Sequence, residues 1–368
     1  MQPQSSALSR VGRLHTRTAW MILVALAVLA LIVVPVLNLV VPPDHPLYMP
    51  GWMVTLAGRF LCLALVALAL DLIWGYTGIL SLGHGVFFAM GGYVMGAHLT
   101  RVAHDDGRLP NFLQWLDYTE WPWYWAGFDS FLFTLVMIAL VPGVLAFIFG
   151  FLAFRSRVRG VYFAIITQAL TFGGMHLFFR TETGFGGDTG LTNFDTLLGF
   201  ELGTPGSRMS LFWASAATLI IAYLLCRWIV TSKLGRVMTA IRDAETRLRF
   251  TGYDPLRYKL FVWVVSAVLC GVAGALYVPQ TGVINPSEMA PPASIEMAIW
   301  VALGGRGTLV GAIAGAGIVN VVKTWATSAY PDLWLYILGA MFIGVTLFLP
   351  KGVVGIVSML RRRREGES

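Results

Sequence analysis

Apolar runs of about twenty residues recur along nearly the whole chain, at roughly 20–41, 52–74, 78–100, 130–154, 161–179, 209–231, 260–279, 294–304, 308–327 and 333–350. A run of that length matches the hydrocarbon thickness of a bilayer, and within lipid a helix satisfies every backbone N–H and C=O from its own segment. The predicted fold class is therefore all-α, a polytopic transmembrane helix bundle of about ten spans with broken, Gly-rich helices. With 57% hydrophobic residues in 368, length here counts helices rather than soluble domains. The 294–304 run is about half the usual length. If 294–327 is instead a re-entrant hairpin entering from outside, eight spans give the same sidedness.

Charge sets the orientation. The formal charge of +7 does not point to nucleic acid, because the basic residues gather at the ends of apolar runs rather than among aromatics on one polar face. Alternating the spans from a cytoplasmic N-terminus places Arg10, Arg13, Arg17, Arg155, Arg157, Arg159, Arg227, the seven Lys and Arg of 233–259, Arg306, Lys351 and Arg361 to Arg364 on one side, 20 of 26. Arg59, Arg101, Arg108, Arg180, Arg208 and Lys323 fall on the other. By the positive-inside rule both termini are expected in the cytoplasm, with the chain crossing its membrane several times. The first run is too long for a typical signal-peptide core and contains Pro35, so it reads as an uncleaved span. The expected divisions are a cytoplasmic tail at 1–19, a transmembrane region at 20–350 and a basic cytoplasmic tail at 351–368. The three cysteines, Cys62, Cys226 and Cys270, have no metal-ligand spacing, so neither a disulfide frame, a metal site nor a cofactor is implied.

Ten charged side chains fall in the 27 residues Lys233–Lys259, in a chain only 12% charged. Leu234, Val237, Met238, Ile241, Ala244 and Leu248 recur there at helical spacing, which predicts a short amphipathic helix at the membrane surface, stopped by Gly252 and Pro255. The segment 232–259 reads as a loop gripped by another protein, with Arg242, Asp243, Glu245 and Arg247 as the gripped charges. A solvated face is the plainer alternative.

Two Gly-rich stretches, Gly75–Gly96 and Leu303–Gly317, fall one in each half of the chain. Paired glycine breaks of this kind point to a transport path between repeats, with close helix packing of equal standing. The candidate path residues are His84 with Gly83 and Gly85; Thr167, Gln168 and Thr171, which share one turn of an apolar helix; and Gly304, Gly305 and Gly307. A lone histidine among glycines is more often a packing element, and threonines in apolar helices often bond back to their own helix. Arg59, Asp71, Glu296 and Lys323 lie toward the ends of their runs, which weakens an ion-coupled carrier. In the outer loop 101–129, Asp105, Asp106, Asp117, Glu120 and Asp129 alternate with Trp115, Trp121, Trp123 and Trp125, an interfacial signature. Phosphate-loop, HExxH and GxSxG patterns are absent, so an enzyme is not expected and any energy must come from another subunit.

The segment 240–259, AIRDAETRLRFTGYDPLRYK, resembles the cytoplasmic loop by which permeases of ABC importers dock into their ATPases. Together with GYTGILSLGHGVFFAMGGY (75–93), YVPQTGVINPSEM (277–289), VALGGRGTLVGA (301–312) and FLPKGVVG (348–355), it gives most of the chain a resemblance to the branched-chain amino acid permease family. TETGFGGDTGLT (181–192) and RFTGYDPLRYKLFVW (249–263) look like the urea-transporting members, although Asp188-Thr189 stands where that pattern has two asparagines. The resemblance implies a multi-pass subunit of the bacterial inner membrane that pairs with a homologous second permease above two ABC ATPase subunits and receives substrate from a periplasmic binding protein. Urea is the expected cargo, a branched-chain or polar amino acid the alternative, and the nucleotide site belongs to the partners.

Overall fold

The computed structural model describes residues 28, 32–42, 44, 45, 47–104, 108–158, 160–333 and scattered positions between 336 and 355. The tail at 1–19, most of the tail at 351–368, much of the runs 20–41 and 333–350, and Asp105, Asp106 and Arg159 lie outside the described residues. In chain order the helices are α1 (Val34–Leu39), α2 (Gly51–Thr77), α3 (His84–Ala103), α4 (Asn111–Gln114), α5 (Phe131–Arg155), α6 (Val161–Phe179), α7 (Pro205–Thr231), α8 (Lys233–Phe250), α9 (Pro255–Thr281), α10 (Pro291–Gly304) and α11 (Val310–Ala329). The all-α expectation holds. Six of these helices, α2, α5, α6, α7, α9 and α11, are long and apolar enough to cross a bilayer, so the count of about ten is not reached among the described residues.

Two differences have physical causes. The run 78–100 is helical only from His84, because Gly78 takes a left-handed conformation (φ 75°) that ends α2 and the chain stays non-helical through Gly83. The run 294–304 is too short to cross on its own: α10 has 14 residues, a rise of about 21 Å against the ~30 Å of a hydrocarbon core. It forms a hairpin with α11 around the non-helical turn 305–309, and both helices pack on α2.

Helix α9 is the hub, packed against α2, α3 and α5, while α7 lies along α2. The buried share of its most apolar window is 61%, against 28% for α5 and for α6, which places those two at the periphery. Contact between α3 and α9 is made backbone to backbone, since a Cβ on Gly91 would run into the carbonyl of Gly271 and one on Gly274 into that of Phe88. Without glycine at these crossings the helices could not approach so closely. Across the next interface the Trp263 indole donates to the Ala146 carbonyl of α5 at 2.9 Å, inside a cluster of edge-on rings with Phe87, Phe154, Phe163 and His84.

The little strand structure present joins loops rather than spans. Leu191–Thr192 pairs antiparallel with Val283–Ile284, Leu191 opposite Ile284, and Thr196–Leu197 pairs with Phe200–Glu201.

Candidate functional site

Helix α8 begins where Ser232 accepts the N–H of Leu234, and its apolar positions Met238 and Ile241 are buried against the bundle while the charged positions face outward. It is not straight: Ala244 has φ −159° and ψ 65°, so the helix kinks in the middle. Gly252, at φ 84°, makes the left-handed turn after it, and Asp254 caps α9 by accepting from Leu256 N at 3.1 Å.

Two contacts tie α8 to the spans. Arg242 donates from Nη1 to the carbonyl of Gly75, near the end of α2, at 2.8 Å. Glu245 accepts from Arg249 at 3.0 Å and from Lys259, in the first turns of α9, at 2.8 Å, with both partners of the Lys259 pair largely shielded from solvent. Four charges were expected on the gripped face. Glu245 is turned into the protein and Arg242 reaches back to α2, leaving Asp243 and Arg247 as the outward pair. The signal missed in the sequence was a second basic residue fourteen positions on, which no single helix periodicity connects to Glu245.

Directly behind Gly75 lies a second fastening. Asp71 is completely buried, and its carboxylate accepts from Gly307 N at 2.6 Å and Leu309 N at 2.9 Å, holding the 305–309 turn. Leu309 is held at φ 46°, an uncommon conformation for a branched side chain, by that bond to its own N–H. Gly305 and Gly307 supply the other positive φ angles of the turn, and Gly307 sits so close to Gly75 that a Cβ on Gly75 would strike it. Arg306 lies over the Trp74 ring at 5.3 Å. An acid inside the run ALALDLIW was the available clue, since a buried carboxylate must find donors. Helix α8, the end of α2 and the hairpin turn thus form one connected end of the molecule.

The remaining path candidates gather at the break before α3. Thr167 accepts from Leu82 N at 3.1 Å, and Thr171 donates to the Leu82 carbonyl at 3.2 Å, so two threonines of α6 satisfy the backbone that the missing helix leaves open. Thr167 also donates to Ala164 O of its own helix, and the single hydroxyl hydrogen of Thr171 is shared between Leu82 O and Thr167 O. His84 is buried, with Nε2 2.8 Å from Ser266 Oγ and Nδ1 3.1 Å from Ser81 Oγ. Because Ser266 spends its own hydrogen on Ala69 O, the arrangement that satisfies every group has His84 donating from Nε2 and Ser81 donating to Nδ1. Gly83 and Gly85 admit Thr167 and Ser294 respectively, Gly304 admits Gly311, and Gln168 is half-buried. Apart from the half-buried Gln168, all of these groups are enclosed by neighbouring helices.

At the opposite end, α2, α7 and α9 border a cleft of about 590 Å³ lined by Trp52, Arg59, Arg208, Leu211, Gln280 and Thr324, where Arg59 donates twice to the Gln280 carbonyl. Lys323 and Glu296 pair across the α10–α11 hairpin at 2.8 Å. Among the described residues no three His, Cys, Asp or Glu side chains are grouped to hold a metal, and Cys62, Cys226 and Cys270 are buried free thiols.

Residues 52–346 match the family described as branched-chain amino acid transport system, permease component. The chain is 25% identical to the high-affinity branched-chain amino acid transport system permease protein LivM of Salmonella typhimurium, over 90% of this chain and 76% of that protein. Its identity to LivM of Escherichia coli K12 is 26%, covering 79% and 67%. With BraD of Pseudomonas aeruginosa, a permease protein of the same description, identity is 23% over 79% and 91%. No solved structure matches. The family match covers more than two thirds of the sequence and contains the connected end built from Asp71, Gly75, Arg242, Glu245, Lys259 and the 305–309 turn: the chain belongs to the permease components of branched-chain amino acid transport systems, multi-pass subunits of ABC transporters rather than enzymes.

Proposed function

We propose that this permease couples ATP hydrolysis in partner subunits to the inward passage of amino acids with branched aliphatic side chains. The observation that carries the coupling is helix α8, tied to α2 through Arg242 and to α9 through Glu245 and Lys259 while presenting Asp243 and Arg247 outward. A pull on such a helix is transmitted to two central spans at once. One of two ABC ATPases grips it, a homologous second permease above the other completes the path, and a periplasmic protein delivers the substrate. Helix α8 faces the cytoplasm in this reading. The orientation is supported by Arg155, Arg157, Arg242, Arg249 and Arg306 gathering at the α8 end and Arg59 and Arg208 at the other.

Reversing the outward pair, Asp243→Arg with Arg247→Glu, is expected to weaken ATPase association about two- to five-fold, as for screened surface ion pairs. The bonds of Arg242 to Gly75 and of Glu245 to Lys259 are kept, and the one ion pair lost, Arg242–Asp243 at 3.0 Å, is exposed, so the thermal midpoint should change little. Co-purification of the ATPase with the double variant reads the effect, and undiminished recovery counts against this grip.

The cargo rests on the family and on the branched-chain amino acid transport for which the relatives LivM and BraD are named. Urea is a second reading, carried by TETGFGGDTGLT at 181–192. Physical demands of the local fold account for much of that motif. Gly184, Gly186, Gly187 and Gly190 all have positive φ, and a Cβ on Gly190 would strike the Ile284 carbonyl, so they fix the turn that pairs Leu191 with Ile284. Asp188 and Thr189, the positions that depart from the urea pattern, are exposed at its tip. Labelled leucine and labelled urea uptake in cells lacking and regaining this gene separates the two. Loss of leucine uptake alone is expected; loss of urea uptake alone would reverse the assignment.

A further inference from the structure

Beside α8, at the junction of the last turn of α5 with the loop 252–256, lies a cleft of about 430 Å³ lined by Arg155, Arg157, Arg249, Tyr253, Asp254 and Leu256. Three guanidinium groups face one acid. Asp254 is already engaged, capping Leu256 and lying 3.5 Å from Arg257. Arg249 is held by Glu245, and neither Arg155 nor Arg157 has an acidic partner among the described residues. Arg157 is kept in the cleft wall by a backbone at φ 57°, outside the usual range of its residue type.

The cleft continues into an apolar stripe. Phe147, Phe151 and Arg155 form one column on α5, with Phe151 stacked on Phe147 and Arg155 lying 5.6 Å over Phe151. Val144, Ile148 and Leu152 form the next, all exposed, and Val161, Tyr162 and Ile165 extend the exposed surface on α6. A basic pocket whose rim runs into a lipid-facing wall has the two halves needed to hold a phospholipid. We propose that this cleft binds the phosphate of an anionic phospholipid, with the Arg155 and Arg157 forks on its oxygens and the acyl chains along the α5 columns. The site places a lipid against the loop that follows α8, so lipid composition sets how firmly that loop is seated.

The test uses the full chain in neutral detergent, titrated with phosphatidylglycerol or phosphatidylcholine and read by native mass spectrometry. The unmodified chain should retain phosphatidylglycerol preferentially. Each arginine beside an anionic headgroup is worth about five-fold in affinity, so Arg155→Gln with Arg157→Gln should lose roughly twenty-five-fold. Arg180→Gln, at the other end, should lose nothing. Arg155→Lys with Arg157→Lys keeps the charge without the fork and should fall between, which covers a glutamine variant that fails to fold. Equal retention of the two lipids by the unmodified chain overturns the proposal, as does an unchanged preference in the glutamine variant. Displacement of the lipid by millimolar inorganic phosphate would assign the cleft to a free anion, and loss of ATPase recovery without loss of lipid would assign it to the ATPase; either result also overturns it.

Discussion

Replacing Gly91 with valine should leave little folded protein. Its α-hydrogen faces the Gly271 carbonyl of α9, and a Cβ there has no space because the obstacle is backbone rather than a side chain that can rotate away. Overpacked cores lose about 1–3 kcal/mol when neighbours can shift. Here α3 and α9 must separate along their whole contact, which also involves Gly274 against Phe88, so the expected loss lies at or above the top of that range. Close glycine contacts do more in lipid than in water, since apolar side chains gain nothing there by leaving the solvent. Gly317→Ala is the matched control, because nothing lies within 4 Å of the added Cβ and alanine favours the helix. Yield of monodisperse protein and the thermal midpoint in detergent should collapse for Gly91→Val and hold for Gly317→Ala. A Gly91→Val protein with the parental midpoint would mean that the two helices do not meet as described.

How much of this was legible depended on how local each cause is. Helix α8 was readable because its stripe, from Leu234 to Leu248, repeats within one element, and burial of Met238 and Ile241 follows that stripe. The stop at Gly252 was equally local. Glycine content announced breaks at 75–96 and 303–317, but not where they fall: Gly78 ends α2 and Gly91 packs inside α3, though the sequence around both is equally rich in glycine. Partners distant in sequence were not readable at all. Asp71 finds Gly307 and Leu309 more than 230 residues away, and Glu245 finds Lys259 across the end of a helix. Thr167 and Thr171 were identified as a polar pair, yet their use, satisfying Leu82, depends on a break in another helix. The urea reading leaned on glycines whose spacing is demanded by a turn. A motif can therefore identify a branch of a family while its residues report only backbone geometry.

Asp71→Ala should detach the hairpin turn from α8 and the end of α2. The substitution strands the N–H groups of Gly307 and Leu309 with no water to take the place of the carboxylate, since Asp71 is wholly buried. A hydrogen bond to a charged group is worth about 1.5–3 kcal/mol, so losing two gives roughly 3–6 kcal/mol. Burying a charge has its own cost, and an isosteric pair of changes could be nearly neutral, but the backbone donors cannot be substituted away. Asp71→Asn keeps one acceptor and turns an NH₂ toward the other donor, so it should recover about half of the loss. Leu309 has little reason to remain at φ 46° once its N–H is released, and the turn should then relax away from Gly75, whose carbonyl holds Arg242. Transport should fall further than stability, because the seat of α8 is lost along with the turn. Hydrogen exchange at Gly307 and Leu309 reads this directly: both amides should exchange fast in Asp71→Ala, Leu309 alone should in Asp71→Asn if the remaining oxygen stays on Gly307, and both should stay protected in Arg242→Ala. Slow exchange of both amides in Asp71→Ala would show that the turn holds itself, and the carboxylate would then need another role.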